Sequence, residues 1–409
     1  MVLRSSSTTP RGVLVAGICL SFLASLAKAS PESVIAEMEK IQGESGLRSA
    51  QLGLCLIPLE GEPDDAFGYQ VERGLVPASM MKVITTATAL EIAGPDYRFT
   101  TAIEISGEVD EAGTLNGHLI IRGGGDPTLA ESQIASTFAK WQSSLAEAGV
   151  NKLNGSVVGD ASIFDNQMLS DTWQWNDMGN YYASGANGLS IHRNLFYCTF
   201  RTSSPGARAD LIGTDPKLPG IKFFNEMRVG RSGSGDQGYI YGVPYGKVYY
   251  LRGTVPADGR SFTIKGALPD PAFFAARAFT KHLSENGFEV TGDPTTIRLL
   301  RDAGESVGAR QIIHTQTSTT LGSLIKETNH ESNNLQAECI HRLIGLEQRD
   351  QSSISSSSSA TEDYWKSKGI DMTGFYMADG CGLWAVAIQH HHPAATGRDS
   401  LPHGPIRKC

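Results

Sequence analysis

Apolar residues at Val83, Ile84, Ala87, Leu90 and Ala93 recur close to the 3.6-residue period of a helix, and Gly94-Pro95 supplies a stop. The same period, at Ile134, Phe138, Trp141 and Leu145, predicts an amphipathic helix over Gln133 to Ala148. Phe273 to Asn286 reads as a helix, Thr319 to Leu346 as one long helix or a pair, and Pro31 to Ile41 as a short one. Strand patterns fall at Gln51 to Leu59, Thr101 to Ile105, His118 to Ile121 and Ser156 to Ala161. Gly61 to Gly68 is rich in turn residues, and two strand-like runs follow before residue 79. Between Phe200 and Pro256, glycine, proline and short β-branched runs predict a small β-rich module. Ser352 to Ser359, broken only by Ile354, reads as a low-complexity surface loop, too polar to pack.

The chemistry suggested by this pattern opens the first of these helices. In Pro77-Ala78-Ser79-Met80-Met81-Lys82 a hydroxyl and an amine stand one turn apart on one face, with Cβ atoms about 5–6 Å apart. Serine is a weak nucleophile until a neighbour takes its proton, and lysine does so once burial lowers its pKa. A serine at a helix start also lies among backbone N–H groups able to stabilise an oxyanion. The Ser-x-x-Lys spacing alone is not distinctive, since it recurs at Ser323-Leu324-Ile325-Lys326.

Composition narrows the class. The 409 residues allow two or three domains, and 40% apolar with 19% charged residues describe a globular chain. A formal net charge of −8 argues against nucleic acid or an anionic membrane as partner. Arg4 and Arg11 precede an uncharged run from Gly12 to Leu26 that ends in Ala27-Lys28-Ala29, which predicts a secretory signal over residues 1–29, cleaved before Ser30. No later run reaches the roughly 20 apolar residues of a spanning helix. Cys55, Cys198, Cys339, Cys381 and Cys409 remain after cleavage, odd in number and without metal spacing.

Two segments invite ligand readings. Arg122-Gly123-Gly124-Gly125-Asp126-Pro127-Thr128-Leu129 lacks the Gly-Lys-Ser/Thr ending of a phosphate loop and reads as a tight turn. Trp173-Gln174-Trp175-Asn176-Asp177 with Gly179-Asn180-Tyr181-Tyr182 suits either a ligand contact or a domain junction.

A second short motif, Ser332-Asn333-Asn334, lies in the later helical region, although Ser-x-Asn also occurs at Ser284-Glu285-Asn286. Ser-x-x-Lys followed by a Ser-x-Asn element is part of the signature of penicillin-binding proteins. With Gly179-Asn180-Tyr181-Tyr182, Phe262 to Pro271 and Asp379-Gly380-Cys381-Gly382-Leu383, the chain resembles the D-alanyl-D-alanine carboxypeptidase/endopeptidases among the class C, low-molecular-mass penicillin-binding proteins. The long separation of Ser79 from Ser332 suits that group, in which extra domains interrupt the penicillin-binding domain. The resemblance implies an α/β fold: a penicillin-binding (β-lactamase/transpeptidase-like) domain over 30–98 plus 310–384, interrupted by a second domain over 99–195 plus 256–309. A small nested β-rich domain over 196–255 completes the expected organisation.

The resemblance further implies that Ser79 is the acylated nucleophile and Lys82, held neutral, its base. Ser332 would relay a proton between Lys82 and the leaving amine, and Asn334 would bind the substrate backbone and orient Lys82. Peptidoglycan stem peptides and β-lactams are the implied partners, in the periplasm or at the cell wall, and no metal or organic cofactor is implied. One departure stands out: Lys-Thr-Gly, which the family carries on a strand after the segment that here begins at Asp379, occurs nowhere in the chain. From Trp384 the resemblance stops, and residues 385–409, with His390-His391-His392 and a terminal Cys409, read as an aberrant tail left by a frameshift or truncation. The alternative expectation is therefore a non-catalytic remnant with a binding role.

Overall fold

The computed structural model describes residues 30–57, 66–130 and 133–383. The expected signal segment and the tail beyond Leu383, with its histidine triplet and Cys409, lie outside the described residues. The chain forms two compact units, one running to Val76 and one beginning at Pro77.

In the first unit, α1 (Pro31–Gly43) starts where Ser30 Oγ accepts the Ser33 N–H, and it buries Val34 and Met38. Antiparallel strands β1 (Leu54–Leu56) and β2 (Phe67–Tyr69) pair Leu54 with Tyr69. This corrects the expectation of turn structure through Gly68: a Cβ on Gly68 would lie 2.0 Å from Leu54 O, so glycine lets the two strands meet. Beyond β2 no further strand precedes Ser79 among the described residues, because Leu75 and Val76 find no pairing partner.

The second unit opens with a 3₁₀ turn at Ala78–Met80 that runs into α2 (Met81–Ala93). Then come β3 (Thr100–Val109), β4 (Thr114–Arg122), α3 (Ile134–Glu147) and β5 (Lys152–Asp160). Strands β6 (Leu195–Arg201), β7 (Asp210–Asp215), β8 (Lys222–Asn225), β9 (Arg228–Val229), β10 (Gln237–Tyr241), β11 (Val248–Val255) and β12 (Ser261–Ala267) follow. The chain continues through α4 (Pro271–Glu285), β13 (Glu289–Val290), β14 (Thr295–Thr296), α5 (Ile297–Asp302) and β15 (Arg310–Thr317). Three helices close the described chain: α6 (Leu321–Glu331), α7 (Asn334–Arg349) and α8 (Ile354–Ser367).

The largest sheet has the order β13-β5-β4-β3-β15, with β14 also on β5. β4 and β5 run parallel, while β3 is antiparallel to both β4 and β15. The apolar faces of α3 and α4 cover this sheet, with Phe138, Trp141 and Phe279 in mutual ring contact over Ile103, Leu119 and Val157. Phe138, Trp141 and Leu145 are buried as their spacing predicts. Between the halves of this sheet the chain forms a β-rich region. Here β12-β6-β7 and the sheet containing β8, β10 and β11 share a core of Phe196, Phe200, Ile240, Tyr249 and Ile264.

The helical layer joins α2, α6, α7 and α8 around Ala89, Leu321, Leu324, Ile340, Leu343 and Ala360. The stretch Thr319 to Leu346 is a pair of helices, parted at Ser332, whose φ of 53° is left-handed. The serine run is not a loop. Ser353 caps α8 through the Ser356 N–H, and Ser356, Ser357 and Ala360 are buried. Small side chains let α8 approach α7 closely at Gly345, where a Cβ would lie 2.5 Å from Ser357 Oγ. The run packs through the small size of its side chains, and the buried Ser356 and Ser357 hydroxyls have no hydrogen-bond partner among the described residues.

Candidate active site

The face that α2 buries is not its most apolar one. Met80 and Val83 are 69% and 53% exposed, whereas Lys82 is only 2% exposed and sits beside buried Met81, Thr85 and Thr86. Ser79 lies in the 3₁₀ turn, exposed, and Lys82 Nζ stands 3.1 Å from its Oγ. Burial pulls the Lys82 amine below the ordinary lysine value, while Cys381, Glu338 and Asp379 act to raise it. Ala78, just before the serine, holds a left-handed φ of 47°. A strained residue beside an exposed hydroxyl is a common companion of function.

The segment 379–382 lies along α2 and fixes that amine. Lys82 Nζ donates to Cys381 O at 2.8 Å, and Thr85 Oγ1 donates to Gly380 O at 2.7 Å. From the other side, the Cys381 N–H donates to Glu338 Oε1 at 2.8 Å and the Gly382 N–H to Asp379 Oδ1 at 2.5 Å. Trp173 Nε1 donates to Asp379 Oδ2 at 2.7 Å. Gly382 has no substitute here, since its φ is +69° and a Cβ would lie 1.8 Å from Ala78 O. Cys381 is buried, and burial holds its thiol well above the usual range.

Ser332 and Asn334 flank the break between α6 and α7. They line a cleft of about 220 Å³ with Tyr181, Tyr182 and Lys265, and Asn334 Nδ2 donates to Tyr182 O at 2.7 Å. Among the described residues no hydrogen bond joins Ser332 or Asn334 to Ser79 or Lys82. The two motif elements belong to neighbouring helices, because Asn329 on α6 reaches Thr86 on α2 at 3.1 Å.

The repeated motifs separate cleanly. Ser323 and Lys326 are both exposed, and Thr320 Oγ1 bonds the Ser323 hydroxyl. Ser284 and Asn286 bond to Thr280 O and His282 O and simply finish α4. The glycine-rich turn also uses its amides internally: Gly123 N–H donates to Asp160 O and Gly125 N–H to Gly188 O. Asp126 accepts from the Thr128 N–H and hydroxyl. Trp173 is buried against Ala183, Ala337 and Cys381, so this part of the aromatic cluster packs rather than opening to a ligand.

Sequence reasoning missed Glu338 and Thr85. Glu338 carried a signal, because α7 is apolar or small at Leu335, Ala337, Cys339, Ile340, Leu343 and Ile344, leaving its carboxylate no solvent face. Thr85 carried none, being one of several threonines in α2.

Comparison with known proteins places the chain among its relatives. The chain is 25% identical over 353 residues to the D-alanyl-D-alanine carboxypeptidase of Actinomadura sp. (strain R39), which spans 85% of this chain and 64% of that protein. It is 25% identical over 317 residues to the D-alanyl-D-alanine carboxypeptidase DacB of Haemophilus influenzae, 77% of this chain and again 64% of the relative. The chain thus spans less than two thirds of the length of both. The crystal structure of penicillin binding protein 4 (dacB) from Haemophilus influenzae superposes with a TM-score of 0.61 at 24% identity, covering 76% of this chain and 66% of that one. The same protein complexed with a β-lactam gives 0.57 at 23% identity. The fold is therefore the expected α/β penicillin-binding architecture with inserted domains. Since the model of the D-Ala-D-Ala carboxypeptidase 3 (S13) family matches residues 35–386, this chain belongs to that family.

Proposed function

We propose that this chain is a serine-type D-alanyl-D-alanine carboxypeptidase/endopeptidase acting on peptidoglycan stem peptides through an acyl-enzyme on Ser79. The observation that carries this reading is the buried Lys82 amine 3.1 Å from the Ser79 hydroxyl. Neutral Lys82 takes the Ser79 proton as Oγ attacks the carbonyl of the D-alanyl peptide bond. The C–N bond then breaks as Ser332 relays that proton from Lys82 to the leaving amine, which returns Lys82 to its neutral form, and water hydrolyses the ester with the same lysine as base. Asn334, on the wall of the cleft beside Tyr182, binds the substrate backbone. A β-lactam acylates the same serine, in keeping with the Haemophilus structure that holds one. No helix of the described residues is long and apolar enough to cross a membrane, and the signal pattern over residues 1–29 supports export to the periplasm or cell wall.

The exposed Met80 and Val83 beside Ser79 favour a second reading, a protein that binds cell-wall peptide without turnover. Covalent labelling by a fluorescent penicillin, read by intact mass, separates the two. Acyl transfer requires one adduct on the wild-type chain, none on Ser79→Ala, and labelling slowed by roughly a hundred-fold or more on Lys82→Ala. Folded wild-type protein that takes no adduct supports binding without turnover.

A further inference from the structure

Two consecutive peptide units next to Ser79 are each gripped at both ends. The 380–381 unit has Thr85 on its carbonyl and Glu338 on its N–H. The 381–382 unit has Lys82 on its carbonyl and Asp379 on its N–H. Lys82 and Thr85 are one turn apart on α2, so the two carbonyls match a single helical face. The two N–H groups match a pair of buried carboxylates. Glu338, Asp379 and the Cys381 thiol bring one side-chain atom each within 4.8 Å of one another.

We propose that Glu338 is a positioning residue for Lys82: it anchors the Cys381 backbone whose carbonyl holds the amine, and its charge sets how readily that amine gives up a proton. The inference rests on the acyl-transfer reading above and deepens it.

The charges around Glu338 are few. Lys82 faces it from α2, Asp379 and the Cys381 thiol from the 379–382 segment, and Arg342 from its own helix one turn on. Burial, with the Asp379 charge adding, pushes the Glu338 carboxyl up to about 7; the Cys381 N–H and Arg342 pull the other way. Glu338 therefore exchanges its proton in the neutral range. When ionised it favours the charged amine of Lys82, and when protonated it releases that hold. Both forms keep an oxygen for the Cys381 N–H, so the anchor persists while the field changes. Hydrogen bonds to an anion also polarise the peptides they hold, and each grip strengthens its neighbour.

The test is direct titration of Lys82 in the full chain, carrying isotope-labelled lysine, by following its Cε–Hε signal with pH and assigning it by Lys82→Arg. In wild type the curve should be broad, with an inflection near neutral pH where Glu338 ionises. In Glu338→Gln, whose amide oxygen still accepts the Cys381 N–H, that inflection should vanish. The midpoint should also fall by about one pH unit, which is about ten-fold more neutral amine at a fixed pH on that limb. A Lys82 curve that superimposes on wild type overturns the proposal. Should Glu338→Gln fail to fold, the wild-type curve decides: a single step with no neutral inflection overturns it equally. Penicillin labelling is run beside the titration. Wild-type protein that titrates as described but takes no adduct removes the acyl-transfer reading and leaves the role of Glu338 standing, whereas labelling with an unmoved Lys82 curve does the reverse.

Discussion

At the scale of single residues, α7 buries Glu338, His341 and Arg342 where solvent cannot neutralise them. His341 is fully buried, with Ser358 Oγ 3.3 Å from Nε2, no partner for Nδ1, and Gly380 packed against its Cβ. Burial, helped by the neighbouring Arg342 charge, pushes its imidazole down to about 3. From about pH 6.5 down to 3, then, the unfolded chain binds a proton that the native chain refuses, and stability falls on acidification by up to about 1.4 kcal/mol per pH unit. Glu338 acts with the opposite sign, because a carboxyl raised to about 7 stabilises fully below its unfolded value near 4.5 and loses that contribution as pH rises to 7. Comparing thermal unfolding of wild type and His341→Asn between pH 7 and 4 isolates the histidine. The variant is expected to lose less stability on acidification than wild type, and parallel curves would rule the histidine out.

At the scale of elements, the α7–α8 contact shows where pattern reading holds and where it stops. Phe138, Trp141 and Leu145 announced their buried face, because large apolar side chains at helical spacing have few other places to go. The serine run announced nothing, since serine packs through its small size, here even with the Ser356 and Ser357 hydroxyls buried without a hydrogen-bond partner among the described residues. α2 misled in another way: its apolar spacing correctly gave a helix, yet Val83 and Leu90 stay exposed while lysine and threonines go inside. At the site, Ser79 and Lys82 were legible as a motif. Thr85 was not, and Glu338 only as a carboxylate on a helix with no solvent face, because their role is to hold backbone from a distant part of the chain. The tightness of the helix contact can be tested at Gly345, where a Cβ would fall 2.3 Å from Gln351 O and 2.5 Å from Ser357 Oγ. Gly345→Ala is expected to cost about 1–3 kcal/mol in urea unfolding despite alanine's better helix propensity; a neutral or stabilising result would show that the interface relaxes.

At the scale of the whole molecule, the largest sheet gathers strands from distant parts of the sequence around a charged knot. Arg310 on β15 lies 2.5 Å from Asp160 on β5 and 3.4 Å from Glu104 on β3, and Arg122 on β4 reaches Glu104 at 2.6 Å. Asp160 and Glu104 are buried, so removing one arginine strands a carboxylate rather than merely deleting a contact. Arg310→Ala is expected to lower the unfolding free energy by about 3 kcal/mol, and Arg310→Ala with Asp160→Asn by less than the sum of the two singles. Strict additivity in chemical denaturation would dissolve the network into independent pairs.

The same long reach decides when the chemistry becomes available. The amine of Lys82 and the carbonyl that holds it are 299 positions apart in the chain. During synthesis the motif at residues 79–82 leaves the ribosome long before residues 379–382 exist to receive it, and closing so wide a loop is among the slower steps of folding. On the acyl-transfer reading, the serine is thus made early but armed late. A partly made chain carries every letter of its first motif with its amine still solvated and charged, so on the acyl-transfer reading proposed above, reactivity waits until residues 379–382 have folded against α2.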